Sequence, residues 1–213
     1  GTYMASCDEI YITIKGKGGH AAMPATYINP ILIASAILPE LDNRFMKKTQ
    51  NAITTVLAFG KIQANGATNV IPAEVRIEGT FRTMNEEWRK EAHEIIRTII
   101  TTKAHEMGGD CDVRIDVGYP VLINNDEVTN CARVAAEEYL GKENVVTLEK
   151  RMTSEDFAYY SLEKPACFYR LGTGNIAKGI TSGIHTPTFD IDEKALETGM
   201  GLMAYIAISE LKK

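Results

Sequence analysis

The sequence predicts an α/β protein of the α+β type, because strand and helix patterns alternate in the order β-α-β-β-α-β between residues 9 and 121. Runs rich in β-branched and aromatic residues indicate the strands, whereas apolar residues that recur at every third or fourth position indicate the helices. This order is typical of a ferredoxin-like sandwich, in which two helices cover one face of a single sheet.

Four strands are predicted from these runs and from the turn signals between them. They cover residues 9–16, 51–62, 73–83 and 111–121. The two middle strands are joined by the turn-rich loop QANGATNVIP, which contains Asn69. One helix is predicted after the first strand and another before the last.

The first helix has a clear start signal. Asn29 as N-cap and Pro30 at the first helical position open an apolar run, ILIASAIL. The helix is predicted to extend towards Leu41 and to be interrupted near its end by Pro39.

The second helix is predicted over residues 85–107, and the pair Gly108-Gly109 ends it. Its buried stripe consists of Trp88, Ala92, Ile95, Ile96, Ile99 and Ile100. Two histidines of the same helix, His93 and His105, are expected to face solvent.

A different pattern begins after Asn124 and Asn125. Helices are predicted at 127–139 and 192–211, a helix start at 154–160, and short strands at 144–148 and 166–172. These elements amount to an incomplete α/β layer, since two strands are too few for a sheet of their own. We therefore predict two domains, covering residues 9–121 and 122–213.

Composition restricts the class of partner. A net charge of −5 argues against a nucleic-acid partner, because phosphate binding requires a basic surface. No apolar run approaches the length of a membrane span and no secretion leader opens the chain, so a soluble protein without a membrane partner is expected. The four cysteines lie far apart with no CxxC pair, which is typical of reduced thiols in the cytoplasm.

Two histidines lie in loops whose composition indicates function. His20 follows the first strand within KGKGGHAAMP (15–24), where glycines let the backbone pass close to a ligand. His185 lies within ITSGIHTPTFDID (180–192), between a glycine-containing loop and two aspartates. Each also has a structural alternative: His20 as a turn residue bonded to backbone, and His185 as a helix cap or a core residue.

Four motifs in order carry a resemblance to a known family: KGKGGHAAMP, NVIPAEVRIEGTFRT, MTSEDFAYY and GIHTPTFDIDEKAL. The chain resembles the metal-dependent N-acyl-amino-acid amidohydrolases, such as hippurate hydrolase and the auxin-conjugate hydrolases, and more distantly aminoacylase and carboxypeptidase G. The resemblance implies that 9–121 is a dimerisation (lid) domain inserted into a zinc-peptidase domain. Residues 122–213 would then be the C-terminal part of that α/β catalytic domain, with the N-terminal catalytic part absent.

The resemblance also implies roles for individual residues. His185 is similar to a ligand of the family's divalent metal site, which holds zinc or manganese, two ions in each full-length subunit. His20 is similar to the histidine that the lid domain lends to the neighbouring subunit, where it donates to the carbonyl oxygen of the tetrahedral intermediate. Asn69 and Arg82 match positions that reach across the dimer towards the substrate's oxygen atoms and α-carboxylate.

Three of these positions have ordinary alternatives. Asn69 can be a turn residue and Arg82 a strand-end arginine. Glu155 either lines the metal pocket or belongs with Ser154 and Asp156 to a helix N-terminus. In the family, the other ligands and the general base lie in a stretch that is expected upstream of Gly1, with a Cys-x-His pair, a Glu-Glu pair and a further histidine. That stretch is absent from this sequence. One imidazole cannot hold zinc, so metal is expected to be absent or weakly bound.

Two functions follow. In the first, the chain is part of a homodimeric hydrolase that cleaves the amide bond of N-acyl amino acids or small peptides through a metal-activated water. In that case the chain alone is expected to be inactive. In the alternative, it is a non-catalytic dimerisation and substrate-recognition module.

Overall fold

A computed structural model describes residues 1–49 and 54–212. The chain divides into two compact units. The sheet unit comprises residues 2–123 and 150–159, and the C-terminal unit comprises Gly1 with residues 124–149 and 160–213. The domain boundaries expected from the sequence, 9–121 and 122–213, stay a prediction.

Eight strands and five α-helices lie in the described residues. The strands are β1 (Thr2–Met4), β2 (Asp8–Lys15), β3 (Gly19–His20), β4 (Thr55–Ala64), β5 (Val70–Ile71), β6 (Glu74–Thr83), β7 (Asp110–Val117) and β8 (Leu122–Ile123). The helices are α1 (Pro30–Thr49), α2 (Glu86–Glu106), α3 (Asp126–Leu140), α4 (Ala158–Glu163) and α5 (Lys194–Leu211).

The main sheet confirms the predicted α+β sandwich. Its four strands are all antiparallel and lie in the order β4-β6-β2-β7. Along β2, Asp8 lies opposite Phe81 of β6 and Val117 of β7, and Lys15 lies opposite Glu74. The start of the second predicted strand, residues 51–53, lies outside the described residues.

Helix α1 begins at Pro30 as predicted, with the Ile31 amide donating to Asn29 Oδ1 at 3.0 Å. The predicted end near Leu41 is wrong, because the helix continues through Pro39 to Thr49. The buried side chains explain this continuation. Ile33, Ile37, Leu41 and Phe45 recur at every fourth position and are almost completely buried. Their burial offsets the hydrogen bond that Pro39 cannot donate.

Helix α2 supplies the other half of the core. Asn85 Oδ1 accepts the Trp88 amide at 2.7 Å, which is the capping bond typical of a helix start. The indole Nε1 of Trp88 donates to Thr55 Oγ1 at 2.9 Å and so ties the helix to β4. The predicted stripe is confirmed, with Trp88, Ala92, Ile96 and Ile100 buried and Ile95 and Ile99 partly buried.

A buried ionic network centres on Asp8, the first residue of β2. Its carboxylate is inaccessible and accepts hydrogen bonds from Arg89, from His93 and from the Gly118 amide at 3.1 Å. Burial would raise the pKa of Asp8, but the bonds from His93 and Arg89 hold it below its ordinary value. The Glu86 carboxylate, which binds Arg89, also accepts the Val121 amide at 2.7 Å.

The prediction that His93 faces solvent is therefore wrong. Its Nε2 lies 2.7 Å from Asp8 Oδ2, its side chain is only 13% exposed, and its ring packs edge-on against Phe81. The same expectation for His105 is confirmed, since its side chain is 58% exposed.

The C-terminal unit contains the predicted helices but neither predicted strand. Residues 144–148 and 166–172 are irregular, and the helix expected to start at 154 begins at Ala158. Segment 166–168 bonds mainly to the side-chain amide of Asn124, which accepts from Phe168 N and donates to Phe168 O, both at 2.8 Å. A strand forms only where a neighbouring backbone continues the ladder, and no described strand lies beside this segment.

The four cysteines are free thiols of intermediate exposure. Among the described residues no helix combines the length and the apolar character that a membrane crossing requires.

We expect the Arg89→Met variant to lower the free energy of unfolding of the sheet unit by about 3–5 kcal/mol, because Asp8 loses its buried counter-charge. Urea unfolding followed by the fluorescence of Trp88, the one tryptophan in the sequence, measures this value. Arg76→Met is the matched control, since Arg76 forms an exposed pair with Glu74 and its loss costs less than about 1 kcal/mol. Equal losses in the two variants would contradict the role of the buried network.

Candidate functional site

His20 and Asn69 come together on a short ribbon formed by β3 and β5. His20 lies opposite Val70, and the Ala21 amide donates to the carbonyl oxygen of Asn69 at 3.0 Å. Glycine is required just before this ribbon: a Cβ at Gly16 would lie 2.3 Å from the Ile28 carbonyl oxygen. Glycine at position 16 therefore lets the backbone pass close to Ile28 between the end of β2 and the ribbon that carries His20.

The His20 imidazole is exposed, and one of its nitrogens is already engaged. Nδ1 accepts the backbone N–H of Ala22 at 3.1 Å. In the neutral ring the proton must then sit on Nε2, because one nitrogen accepts and the other donates. Nε2 has no protein partner among the described residues, so His20 offers an N–H donor to a ligand.

Arg82 lies near the other end of the sheet. It is the ninth residue of β6, whereas Glu74 begins that strand beside the His20 ribbon. At about 3.3 Å per residue the two ends are roughly 26 Å apart. The half-buried guanidinium donates through Nη1 to the Met152 carbonyl at 3.1 Å and to Ser154 Oγ at 3.5 Å.

Glu155 follows the segment that Arg82 holds. The Ala5 amide donates to the Thr153 carbonyl at 3.1 Å, so this segment is bound to the sheet unit from two sides. Glu155 is half-buried, and its Oε1 accepts the Asp156 amide at 3.1 Å. Arg82 and Glu155 thus share one end of the sheet, and His20 and Asn69 share the other.

His185 lies in the C-terminal unit, in the long loop before α5. It is exposed, and its φ of 63° makes it the one non-glycine residue with positive φ in the described chain. Neither ring nitrogen has a hydrogen-bond partner among the described residues. A residue in this conformation that lacks a hydrogen-bonding role in the fold is a candidate for a functional one.

A divalent metal requires more than this one imidazole. Across residues 1–49 and 54–212, no group of three or more His, Cys, Asp or Glu side chains is arranged to hold an ion. The residues that the structure describes therefore do not form a complete metal centre.

Asp192 is a residue of this loop whose contacts the sequence analysis did not predict. Hydrogen bonds from Lys178 and Asn175 lower the pKa of the Asp192 carboxyl to about 2. Its partners lie 14 and 17 residues earlier in the chain, a spacing that matches no recognisable motif.

Residues 8–108 match the model of a family described as the peptidase dimerisation domain. The chain is 32% identical to an N-acetylcysteine deacetylase of Bacillus subtilis over 212 residues, covering 100% of this chain and 54% of that protein. It is 31% identical to an IAA-amino acid hydrolase of Arabidopsis thaliana over 213 residues, covering 97% and 48%.

Solved structures include a dinuclear metal-binding peptidase of the M20 family from Bacillus subtilis. It superposes with a TM-score of 0.78 at 30% identity and covers 100% of this chain and 52% of that one. The present chain therefore spans about half the length of these relatives. The matched domain, the relatives and the superposed fold lead to one conclusion: residues 8–108 form a peptidase dimerisation domain, and the chain as a whole is similar to amidohydrolases and peptidases of the M20 family.

Proposed function

We propose that this chain is part of a metal-dependent hydrolase that cleaves the amide bond of N-acyl amino acids or small peptides. The names of its relatives, a deacetylase and an amino acid conjugate hydrolase, support this substrate class. Zinc or manganese, when bound, would supply the activated water, and His185 is the ligand that this chain would contribute. The cytoplasm is the proposed compartment.

The observation that carries the proposal is the donor at His20. Amide hydrolysis develops negative charge on the carbonyl oxygen, and a fixed N–H that meets this oxygen stabilises the transition state. The bond from Ala22 to Nδ1 directs the proton to Nε2 and leaves it exposed. Loss of one such donor costs about 2.7–4 kcal/mol of transition-state stabilisation in other hydrolases.

The positions of the site residues favour a site shared between two copies of the chain. His20 and Glu155 belong to opposite ends of the same sheet, separated by roughly 26 Å along β6. A small substrate cannot contact both ends of one sheet. A homodimer resolves this separation, because the His20 ribbon of one subunit can serve the catalytic half of the other.

The two sheet edges differ in their capacity to pair. Strand β7 has four charged residues among its eight, a pattern that protects an edge from pairing. Strand β4 has only Lys61 among its ten residues, and Leu32 of α1, the helix that packs on β4, is 59% exposed. We infer that two subunits meet along β4 and α1.

Arg82 has a second use in this proposal. Its Nη1 is already bound to Met152, so its first role is to hold the segment that leads to Glu155. The other N–H groups of Arg82 could still bind the substrate's α-carboxylate, and this role stays a prediction. The role of Asn69 in binding the substrate's oxygen atoms also stays a prediction.

The second candidate function is a non-catalytic dimerisation and substrate-recognition module. It is favoured because residues 1–49 and 54–212 contain no cluster of three or more His, Cys, Asp or Glu side chains that could hold a metal ion. Both functions use the same dimer, and they differ in whether His185 acts together with further ligands.

The 213-residue chain alone is expected to bind zinc weakly and to hydrolyse a hippurate-type substrate no faster than buffer, because one imidazole cannot retain the ion. Metal analysis after dialysis against trace zinc, run beside the hydrolysis assay, measures both. One tightly bound zinc ion per chain together with measurable turnover would contradict the claim that this chain lacks the ligands needed to retain the metal.

Complementation between two variants tests the shared site. The experiment uses a protein that contains this chain and is as long as its relatives. His20→Ala and His185→Ala variants should each be inactive, and their equal mixture should recover about a quarter of wild-type activity. Half of the randomly formed dimers are mixed, and one of the two sites in each mixed dimer is intact. No recovery after subunit exchange would show that His20 acts within its own subunit.

The edge substitution Ile62→Lys should weaken the dimer about tenfold, because it places a charge on the pairing edge of both subunits. Val117→Lys is the matched control on the opposite edge, where an exposed apolar residue is also replaced. Analytical ultracentrifugation measures the dimer dissociation constant at protein concentrations on the order of tens of micromolar. A monomeric wild-type chain, or greater sensitivity to the Val117 substitution, would contradict the β4 interface.

A further inference from the structure

The loop from Thr173 to Asp192 is closed at its base by one carboxylate. The Asp192 amide donates to the Thr173 carbonyl at 2.8 Å, which joins the two arms of the loop. The Asp192 side chain then binds the outgoing arm twice. Its Oδ2 accepts from Asn175 Nδ2 at 2.5 Å, and its Oδ1 accepts from Lys178 Nζ at 2.6 Å.

The outgoing arm is folded so that these two donors converge. Asn175 and Ile180 exchange backbone hydrogen bonds, both of 2.9 Å, and Gly179 takes the left-handed conformation that this tight turn needs. Asn175 Oδ1 also accepts the Lys178 amide at 3.2 Å. The residues Asn175, Lys178 and Asp192, here called the Asp192 clamp, therefore form one connected unit.

His185 lies at the far end of the same loop. Ser182 and Thr188 join their hydroxyl groups at 2.8 Å on either side of it, and Thr186 Oγ1 donates to the Gly183 carbonyl at 2.7 Å. The left-handed backbone of His185 is unfavourable for a residue with a Cβ, so the surrounding loop must impose it.

We propose that Asp192 is a positioning residue that keeps the loop closed and thereby fixes the conformation in which the His185 imidazole is presented. Its functional meaning rests on the proposed role of His185, whereas its test below does not. A charged carboxylate with two short side-chain bonds across the loop is the strongest connection between the arms.

A simpler role for Asp192 is to cap α5. Its Oδ1 also accepts the Lys194 amide at 3.3 Å, and its carbonyl accepts the Ala195 amide at 2.8 Å. The two roles predict different losses. A cap affects the first turn of α5 alone, whereas the Asp192 clamp also affects the turn at Asn175 and the backbone of His185.

The test replaces Asp192 by Asn in the 213-residue chain, which keeps the shape and removes the charge. Hydrogen exchange of the Asn175 and Ile180 amides should become about tenfold faster. The three-bond HN–Hα coupling of His185 should move away from the value set by a φ of 63°. Asp190→Asn is the matched control, since exposed Asp190 accepts the Ile191 amide at 2.8 Å and binds neither Asn175 nor Lys178.

Substitutions at Lys178 provide the reciprocal test. Lys178→Met should reproduce both changes. Lys178→Arg should bring the exchange rates and the coupling back towards wild type, because a donor again reaches the carboxylate.

The low pKa of Asp192 adds a pH dependence to the closed loop. A lowered carboxyl pKa stabilises the closed loop above the ordinary value of 3.8, and this contribution disappears as the pH falls towards about 2.

Three outcomes would overturn the proposal. The first is that amide exchange and the His185 coupling are unchanged in Asp192→Asn. The second is that exchange protection is lost only in the first turn of α5, as for a simple cap. The third is that protection is lost equally throughout α3, as for general destabilisation of the unit. The proposed hydrolase function fails separately, through the metal and complementation experiments, and these do not depend on exchange at Asn175 or Ile180.

Discussion

The buried pair between Asp8 and Arg89 is the interaction on which the sheet unit depends. Asp8 opens the central strand β2, and Arg89 lies in the first turn of α2. Through the bonds of Arg89 and Asp8 to Gly118, the same pair holds the end of β7. Three elements that are distant in sequence thus meet at one inaccessible carboxylate, and an unpaired charge at this position would be more unfavourable than almost any surface change.

This network gives the two ends of the sheet different properties. The Asp8 end is dense with hydrogen bonds and also holds the segment before Glu155 through Arg82. The opposite end carries a two-residue ribbon whose histidine is exposed. The sheet unit therefore has one end that is tied down by hydrogen bonds and one end that presents an exposed donor, as the proposed shared site requires.

Much of the sheet unit could be predicted from sequence, because periodicity and cap residues report directly on local structure. Asn29 marked the start of α1, and the isoleucine stripe marked the buried face of α2. Predictions failed where tertiary contacts override local signals. Pro39 did not end α1, since Leu41 and Phe45 beyond it are buried.

Two further limits have the same physical origin. A strand requires a neighbouring backbone, which local composition at 144–148 and 166–172 does not report. For the candidate site, the glycine-rich context predicted that His20 lies in a loop, whereas it lies in the two-residue strand β3. Its proximity to Asn69 depends on a pairing between segments 50 residues apart, and the contacts of Asp192 depend on how a loop folds back. Neither leaves a local pattern in the sequence.

The unequal charge of the two sheet edges also has a consequence for stoichiometry. An uncharged edge invites a further strand, and a sheet with two such edges could extend without limit into a fibre. Here the four charged residues of β7 disfavour pairing on one side, so pairing along the hydrogen-bonding direction is left to the β4 side alone. In the proposed dimer, each copy would then present only its charged β7 edge, which disfavours the addition of a third sheet.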